Sequence, residues 1–227
     1  DGTANEVING LMQYKQANKK CPLMGVIPVG RGNDFAFGVD IPAGAEESCN
    51  LLAAGLKQKI DIGKVTGELY PQGLYFGNGV GVGFDAVVGF VAAKSKLTGM
   101  LSYLVAAIKT IFIFYKPPLV DVITDNKTFQ ISALLVSVMN GKRMGGSFMF
   151  APDGKPNDGT FDLCIVRSVP QAAMFGLIGK VMSGTQAAHP AVSTVQSTKV
   201  TVKAVQGTLP VHADGVTICE EGHEISI

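Results

Sequence analysis

The sequence contains little charge, little histidine and no tryptophan. Of 227 residues, 16% are charged and three are histidine, and 19 Lys and Arg face 18 Asp and Glu. Without an excess or a stripe of basic residues, no nucleic-acid partner is expected. The four cysteines form no C-x-x-C pair and the histidines have no ligand spacing, which favours reduced thiols in a cytoplasmic protein over disulfides or zinc.

A long uninterrupted hydrophobic run is also missing. The most apolar stretch, Leu97–Tyr115, is about as long as the shortest membrane-spanning helix, but Lys109 interrupts it. Lys96 and Lys116 lie at its two ends. The pattern therefore predicts a core helix, or one that lies against a lipid entrance, rather than a span.

What the chain does contain is a high hydrophobic fraction, 47%, which allows one large domain or two small ones. Residues 1–43 read as α/β, with a helix from Thr3 to Asn18 and a buried strand from Leu23 to Pro28. Residues 44–227 read as an all-β sandwich interrupted by helices, and the extreme C-terminus is left free to pack back toward the first domain. The strands predicted in this part are Lys57–Val65, Leu69–Asn78, Leu119–Thr124, Thr128–Met139, Phe161–Arg167 and Thr198–Ala204.

Two glycine-containing turns in the first part of the chain each lead into a helix. One opens the sequence at Asp1-Gly2-Thr3, and the other is the stretch 25–38, in which Asn33 or Asp34 is expected to cap a short helix. Glycines let backbone N–H groups approach an anion, and a helix N-terminus carries partial positive charge. The two turns therefore predict a phosphate-binding cradle, with a plain tight turn as the alternative.

Five stretches, in order along nearly the whole chain, resemble the diacylglycerol kinase-like lipid kinases, which include bacterial diacylglycerol kinases and the sphingosine kinases. They are Asp-Gly-Thr-Ala-Asn-Glu-Val (1–7), Pro-Val-Gly-Arg-Gly-Asn-Asp-Phe-Ala (28–36), residues 59–65 with 75–86, residues 145–152 with 157–162, and Leu-Pro-Val-His-Ala-Asp-Gly (209–215).

The resemblance implies a partial Rossmann-like nucleotide-binding domain followed by a larger β-sandwich that holds the lipid. In the family the first motif is usually Gly-Gly-Asp-Gly-Thr, and this chain begins at its third residue. The sequence is therefore expected to be a fragment that lacks the family's N-terminal strand-helix-strand. The implied activity is transfer of the γ-phosphoryl of ATP to a lipid hydroxyl with Mg²⁺, and a diacylglycerol-like lipid is the first expectation.

The resemblance also implies roles for individual residues. Asp214 would be the general base, Asp34 and Asp61 further catalytic carboxylates, and Asp61 would tie a structural Mg²⁺ to the active site through water. That Mg²⁺ would be held by the side chain of Asp158 and the carbonyls of Lys155 and Thr160. Asp34 also belongs to the expected nucleotide cradle, whose other members are Asp1, Gly2, Thr3, Asn5, Glu6, Gly30, Arg31, Gly32 and Asn33. For each single Asp, an Asx-turn or a solvated loop is the alternative.

Two positions depart from the family pattern. Arg31 stands where the family usually has Thr, and Val216 stands where it usually has Glu after Asp214-Gly215. Two other functions therefore stay open: an NAD kinase-like enzyme, and a lipid- or nucleotide-binding protein without catalysis. A lipid substrate and reversible contact with a membrane are the expected partners, and the oligomeric state, a homodimer included, is left open.

Overall fold

The computed structural model describes residues 1–18, 22–97, 99–113 and 116–227. The helices are α1 (Gly2–Asn18), α2 (Asp34–Gly38), α3 (Ala45–Ala53), α4 (Phe84–Ala93), α5 (Gly99–Ile113) and α6 (Gln171–Met182). The strands are β1 (Gly63–Gly67), β2 (Tyr70–Phe76), β3 (Gly79–Gly83), β4 (Leu119–Thr124), β5 (Thr128–Met139), β6 (Phe161–Arg167), β7 (Val192–Ser197), β8 (Val200–Gln206), β9 (Leu209–Ala213), β10 (Val216–Gly222) and β11 (Glu224–Ser226).

The strands form two antiparallel sheets that share β5. The N-terminal half of β5 pairs with β4, followed by β8, β11, β1 and β2. Its C-terminal half pairs with β3 and β6, and this second sheet continues to β9 and β10 on one side and to β7 on the other. The inner faces enclose an apolar core that includes Val80, Val120 and Val202. The predicted β-sandwich is therefore confirmed.

Helices α4, α5 and α6 cover the outer face of the second sheet. Their apolar side chains, among them Phe84, Ala107 and Leu177, pack against Leu135 of β5 and Cys164 of β6. The predicted core helix Leu97–Tyr115 is confirmed over α5, whereas its positions 98, 114 and 115 lie outside the described residues. No helix in the described ranges is both long and apolar enough to cross a membrane.

The N-terminal part contains α1, α2 and α3, but the strand predicted from Leu23 to Pro28 is wrong. Residues 22–29 belong to no strand, and Leu23 and Val29 are 70% and 82% exposed. A strand needs a neighbour to accept and donate its backbone hydrogen bonds, and no described strand pairs with this segment. The apolar composition alone therefore does not make it a strand.

Six of the eleven strands in the described residues were predicted, and five were missed. The hairpin of β4 and β5 and the strand β6 match the predicted bounds, whereas β3, β7, β9, β10 and β11 were not predicted as strands. The first predicted hairpin exists as β1 and β2, but its turn falls at Glu68-Leu69 and not at Thr66-Gly67. The C-terminal strand β11 pairs with β1 and β8 inside the sandwich. The domain boundary after residue 43 stays a prediction.

Candidate active site

A cavity of about 250 Å³ lies between the second sheet and the helices that cover it. Most of its wall is apolar, whereas one end carries charged and polar side chains. The apolar wall includes Phe84, Val88, Leu134, Met144, Phe148, Phe150, Met174, Leu177 and Val181. The polar end includes Asp1, Arg31, Asp34, Asn78, Asp85, His212 and Asp214. The cavity can thus bury an apolar chain while its polar end faces a reacting group.

Asp214 lies at this polar end in a two-residue turn between β9 and β10. Asp214 and Gly215 both have positive φ, 49° and 88°, as a type I′ hairpin turn requires. The carboxylate is buried and accepts four hydrogen bonds, two at each oxygen. The donors are the backbone N–H of Gly77 (2.8 Å), Asn78 (3.1 Å) and Gly79 (2.9 Å), and the side-chain amide of Asn5 (3.1 Å). Asp214 is therefore fixed in one orientation.

Asp34 joins the N-terminal part to the loop that follows β5. Its carboxylate accepts the backbone N–H of Gly146 and the Nε–H of Arg143, each at 3.0 Å. Arg143 also donates to the carbonyl of Gly32 and stacks on Phe37, with 3.9 Å between the guanidinium carbon and the ring centroid. Burial raises the pKa of Asp34, and the Gly146 N–H and the Arg143 guanidinium lower it in part. Arg143 thus holds a buried carboxylate beside the glycine loop.

The glycine loop at 30–33 is closed by its own asparagine. The side chain of Asn33 accepts the N–H of Gly30 at 2.8 Å and donates to the carbonyl of Gly30 at 3.1 Å. Asn33 is the N-cap residue of α2, as expected, but its side chain makes no capping hydrogen bond. The carboxylate of Asp1 accepts the N–H of Phe35 instead. Asn33 has φ 54°, which turns its side chain back onto the loop.

Gly32 allows the N-terminal residue Asp1 and the glycine loop at 30–33 to pack closely together. A Cβ at this position would lie 2.6 Å from Oδ2 of Asp1 and 3.2 Å from Oδ2 of Asp34, so a side chain here would separate the two carboxylates. Arg31, next to it, is exposed and lines the mouth of the cavity. Arg31, which stands where the family usually has Thr, therefore adds a positive charge to the end of the cavity that holds Asp1 and Asp34.

A further carboxylate at the polar end, that of Asp85 of α4, pairs with His212 of β9. The distance from Nε2 of His212 to Oδ1 of Asp85 is 3.4 Å. Burial alone would lower the pKa of His212. The charges of Asp85 and Asp214 raise this pKa by more than burial lowers it, so the pKa lies above the ordinary value. Tyr103 of α5 reaches the same region: burial raises the pKa of its hydroxyl, and Asp34 and Asp85 add to the increase.

The residues predicted to hold Mg²⁺ lie in a separate loop before β6. Oδ1 of Asp158 accepts the N–H and the hydroxyl of Thr160, an Asx-type turn, while Oδ2 of Asp61 accepts the N–H of Gly159 at 2.8 Å. Lys155 is exposed nearby in the chain. Asp61 and Thr160 line a cavity of about 240 Å³, and the buried Oδ1 of Asn140 in its wall has no partner in the described part of the chain.

These oxygens fit a hard cation, which prefers carboxylate, carbonyl and amide oxygens. The described residues do not, however, contain a cluster of three acidic, His or Cys side chains that could hold a metal alone. The loop is connected to Asp214 through Asn140, whose side-chain amide donates to the carbonyls of Asp61 and Gly77, each at 2.9 Å. Gly77 in turn donates its N–H to Asp214.

The structure therefore brings together part of the predicted set. Asp1, Arg31, Asp34 and Asp214 line one cavity, and Asn5 contacts Asp214, whereas Asp61 lies at the other cavity. Gly2, Thr3 and Glu6 are exposed at the start of α1, outside the lining of the large cavity.

Val216, the other departure from the family pattern, is on the core face of β10. It pairs with Ala213, whose side chain belongs to the sandwich core. The next residue, Thr217, pairs with His212 and lies on the face that lines the cavity.

Sequence reasoning missed several polar residues of the site. Arg143, Asn140 and Tyr103 had no local signal, because their partners lie on distant segments of the chain. His212 lies within the motif 209–215 that was noted for its resemblance, but its spacing alone gave it no role. Asp85 lay within the resembling stretch 75–86, but its role depends on how α4 packs over β3, which the sequence does not indicate.

Comparison with known proteins gives two consecutive family matches. Residues 1–65 match the family model described as diacylglycerol kinase catalytic domain, and residues 78–227 match the YegS C-terminal NAD kinase beta sandwich-like domain. The chain is 34% identical over 187 residues to a diacylglycerol kinase of Bacillus subtilis (strain 168), covering 81% of this chain and 58% of that protein. It is 29% identical over 217 residues to a diacylglycerol kinase of Staphylococcus carnosus (strain TM300), covering 95% and 67%.

A solved structure supports the fold independently. The crystal structure of a diacylglycerol kinase from Bacillus anthracis str. Sterne superposes with a TM-score of 0.67 at 22% identity, over 99% of this chain and 69% of that one. The chain thus spans between about three fifths and two thirds of the length of these relatives. The two consecutive domain matches and the shared sandwich show that the chain belongs to the diacylglycerol kinase-like lipid kinase family.

Proposed function

We propose that the full-length protein is an ATP- and Mg²⁺-dependent lipid kinase that transfers the γ-phosphoryl group to a lipid hydroxyl, with a diacylglycerol-like lipid as the first candidate. The observation that carries the proposal is the cavity: a long apolar wall ends at buried carboxylates. Acyl chains fit the apolar wall, and a terminal hydroxyl would then lie at the polar end, next to the glycine loop.

Asp214 is the proposed general base. In the reaction the hydroxyl oxygen of the lipid bonds to the γ-phosphorus, the bond from that phosphorus to the bridging oxygen of ATP breaks, and the hydroxyl proton passes to the base. Three of the four donors to Asp214 are backbone groups that cannot leave, whereas the amide of Asn5 is a side chain. Displacement of Asn5 would free Oδ2 to accept the hydroxyl proton.

The loop at 30–33 and the start of α1 are the proposed nucleotide cradle. Arg31 and the backbone of Gly32 are accessible there, and a guanidinium can bind phosphate oxygens in place of the threonine usual at position 31. Gly2, Thr3 and Glu6 lie on the exposed start of α1, while Asp1 and Asn33 hold the loop in shape. Asp34 fixes the loop against Arg143.

Mg²⁺ would be held by Asp158 with the carbonyls of Lys155 and Thr160, and through water by Asp61. The cation would supply positive charge that orders the acidic loop before β6, where Asp153 and Asp158 raise the pKa of Asp162 in addition to its partial burial. Asn140 would transmit this order to Gly77 and hence to Asp214.

Contact with a membrane surface is proposed for α5 and α6. Leu101, Ile108, Phe112 and Phe175 are between 38% and 62% exposed, and the rings of Phe112 and Phe175 lie 5.8 Å apart. The sequence has no acidic residue from 86 to 120 or from 163 to 213, so the charges of these helices are lysines. An apolar face with basic neighbours suits an anionic bilayer on the cytoplasmic side.

The test is transfer of labelled phosphate from ATP, with Mg²⁺, by the full-length protein to diacylglycerol, sphingosine, ceramide, phosphatidylglycerol, undecaprenol and NAD. Label on one lipid supports the proposal and identifies the substrate. Label on NAD would assign the NAD kinase-like function instead. Bound ATP and lipid without transfer would favour a binding protein, and light scattering on the same sample gives the oligomeric state, a homodimer included.

A further inference from the structure

A row of polar residues crosses the second sheet beneath α4, in the middle of an otherwise apolar face. Thr217 pairs with His212, His212 with Gly81, Gly81 with Ser137, and Ser137 with Cys164, across β10, β9, β3, β5 and β6. Three buried polar atoms of this region, Oδ2 of Asp85, Oγ of Ser137 and Nδ1 of His212, have no hydrogen-bond partner among the described residues. Such groups are rare in folded proteins and concentrate at functional sites.

Gly81 is what allows Asp85 and His212 to meet. A Cβ at position 81 would lie 2.0 Å from Oδ2 of Asp85 and 2.5 Å from Nε2 of His212. The absence of a side chain at the centre of β3 therefore creates the space that both groups occupy. This close approach accounts for glycine at position 81 of β3, because a glycine inside a strand otherwise lowers the stability of that strand.

His212 contacts one carboxylate and is influenced electrostatically by a second. Asp85 from α4 lies 3.4 Å from its Nε2, and the charge of Asp214, in the turn after β9, acts on it as well. The charge of Asp85 also acts on Tyr103 of α5 and Cys164 of β6. Burial and, to a smaller extent, the charge of Asp85 raise the pKa of Cys164 to about 12, so this thiol is neutral at physiological pH. A buried imidazolium compensates carboxylates that would otherwise repel each other.

We propose that protonated His212 is a positioning residue: it joins Asp85 to the turn that carries Asp214, and thereby makes phosphoryl transfer depend on pH. Because it concerns the reaction proposed above, this role rests on that function. His212 does not touch the transferred group; it holds Asp85 through the ion pair and places a positive charge on the strand that leads into the Asp214 turn. Loss of its proton leaves Asp85 and Asp214 without this cation.

The expected pH dependence follows from the charge of the active form. Since Asp85 and Asp214 retain the proton on His212 to higher pH than usual, the pKa that governs the alkaline decline of kcat/KM should lie above the ordinary histidine value. Above that pKa, kcat/KM should fall, by at most about tenfold for each pH unit, and should level off at the activity of the form with neutral His212. In His212→Gln, which keeps a neutral donor near Asp85, kcat/KM should be about ten- to a hundredfold lower at neutral pH and should lack this limb.

The experiment combines pH profiles with NMR titration of the histidine C–H signals in the full-length protein. The assay uses the lipid that accepts phosphate in the screen above. The wild type should show the alkaline decline, and Asp85→Asn should shift both the decline and the His212 titration to lower pH. Gly81→Ala should shift them in the same direction because its Cβ forces the pair apart. His223→Gln, on an exposed histidine, is the matched control and should leave the profile unchanged.

The outcomes separate the two proposals. An ordinary His212 titration, or an identical alkaline limb in His212→Gln, alongside measurable transfer would overturn the role of His212 and leave the kinase function intact. Absence of transfer by the wild type at every pH would overturn the kinase function, and the role of His212 with it. A His212 titration that moves in Asp85→Asn together with the activity profile supports the proposal.

Discussion

The side-chain amide of Asn5 donates a hydrogen bond of 3.1 Å to Oδ2 of Asp214, although 209 positions separate the two residues. The same amide donates to the carbonyl of Tyr75 at 2.9 Å, so α1 is anchored to β2 and to the β9–β10 turn by one buried side chain. The N-terminal part and the sandwich are therefore joined at the proposed base itself. Relative motion of the two parts would change the hydrogen bonding of Asp214 directly.

Replacement of Asp214 by Asn should reduce phosphoryl transfer by about a hundredfold or more, because the amide cannot accept the hydroxyl proton. Its NH₂ group would also face N–H donors, which should lower the free energy of unfolding by about 1–3 kcal/mol. The measurement is kcat with saturating lipid, together with thermal unfolding. Asp121→Asn on β4, whose carboxylate accepts a bond from Gln130 at the surface, is the control. Full activity in a folded Asp214→Asn protein would place the base elsewhere.

Replacement of Arg143 by Ala should destabilise the protein most near neutral pH. It leaves Asp34 buried without its cation, at a cost of about 2–3 kcal/mol, since Arg143 is itself partly exposed. Burial already raises the pKa of Asp34, and loss of Arg143 removes a cause that lowers it. The carboxyl group then binds a proton more readily as the pH falls, and protonation removes the uncompensated charge.

Denaturant unfolding at several pH values would measure this. The deficit of Arg143→Ala relative to the wild type should be largest at neutral pH and shrink on acidification. Lys142→Ala, which removes the neighbouring exposed pair with Asp40, should cost less than about 1 kcal/mol. An equal deficit at all pH values would contradict the assignment of the effect to Asp34.

Mg²⁺ should raise the melting temperature of the wild type, because a ligand that binds the folded state stabilises it by an amount that grows with the logarithm of the ligand concentration above its Kd. Asp158→Ala should abolish this increase, and Asp61→Asn should reduce it. The readout is thermal unfolding with Mg²⁺ or chelator, independent of catalysis. Asp121→Asn again serves as the control. A Mg²⁺-dependent increase that persists in Asp158→Ala would place the cation outside the loop before β6.

Phe112→Asp and Phe175→Asp should each weaken binding to anionic vesicles by about tenfold or more, because each substitution removes an apolar side chain from the proposed contact and adds a repelling charge. Leu69→Asp changes a similarly exposed apolar residue on the β1–β2 turn and should have little effect. Vesicle sedimentation measures the partition. Unchanged binding in the Phe112 and Phe175 variants would rule out the surface of α5 and α6.

Local pattern predicted the elements whose signal lies within a few residues. Alternation at Val200 and Val202 predicted β8, and two apolar runs on either side of Asp125-Asn126 predicted the β4–β5 hairpin. The resemblance of the loops pointed to Asp34 and Asp214. The strand expected from Leu23 to Pro28 failed because pairing is a property of neighbours and not of composition. The donors to Asp214 are 135 to 209 positions away from it, so no spacing rule could have found them. Gly81 stood out only as part of a resembling motif, because its role depends on Asp85 and His212, which pack above it.

The long-range hydrogen bonds of Asp214 have a consequence for biosynthesis. Asn5 leaves the ribosome long before Asp214, and the three backbone donors at 77–79 are made well over a hundred residues before their acceptor. During translation the N–H groups of this pocket must therefore remain solvated or find temporary partners until β9 and β10 are complete. A nascent chain that stalls before the β9–β10 turn has the apolar wall of the cavity but lacks Asp214, so the acceptor of these N–H groups arises late in synthesis.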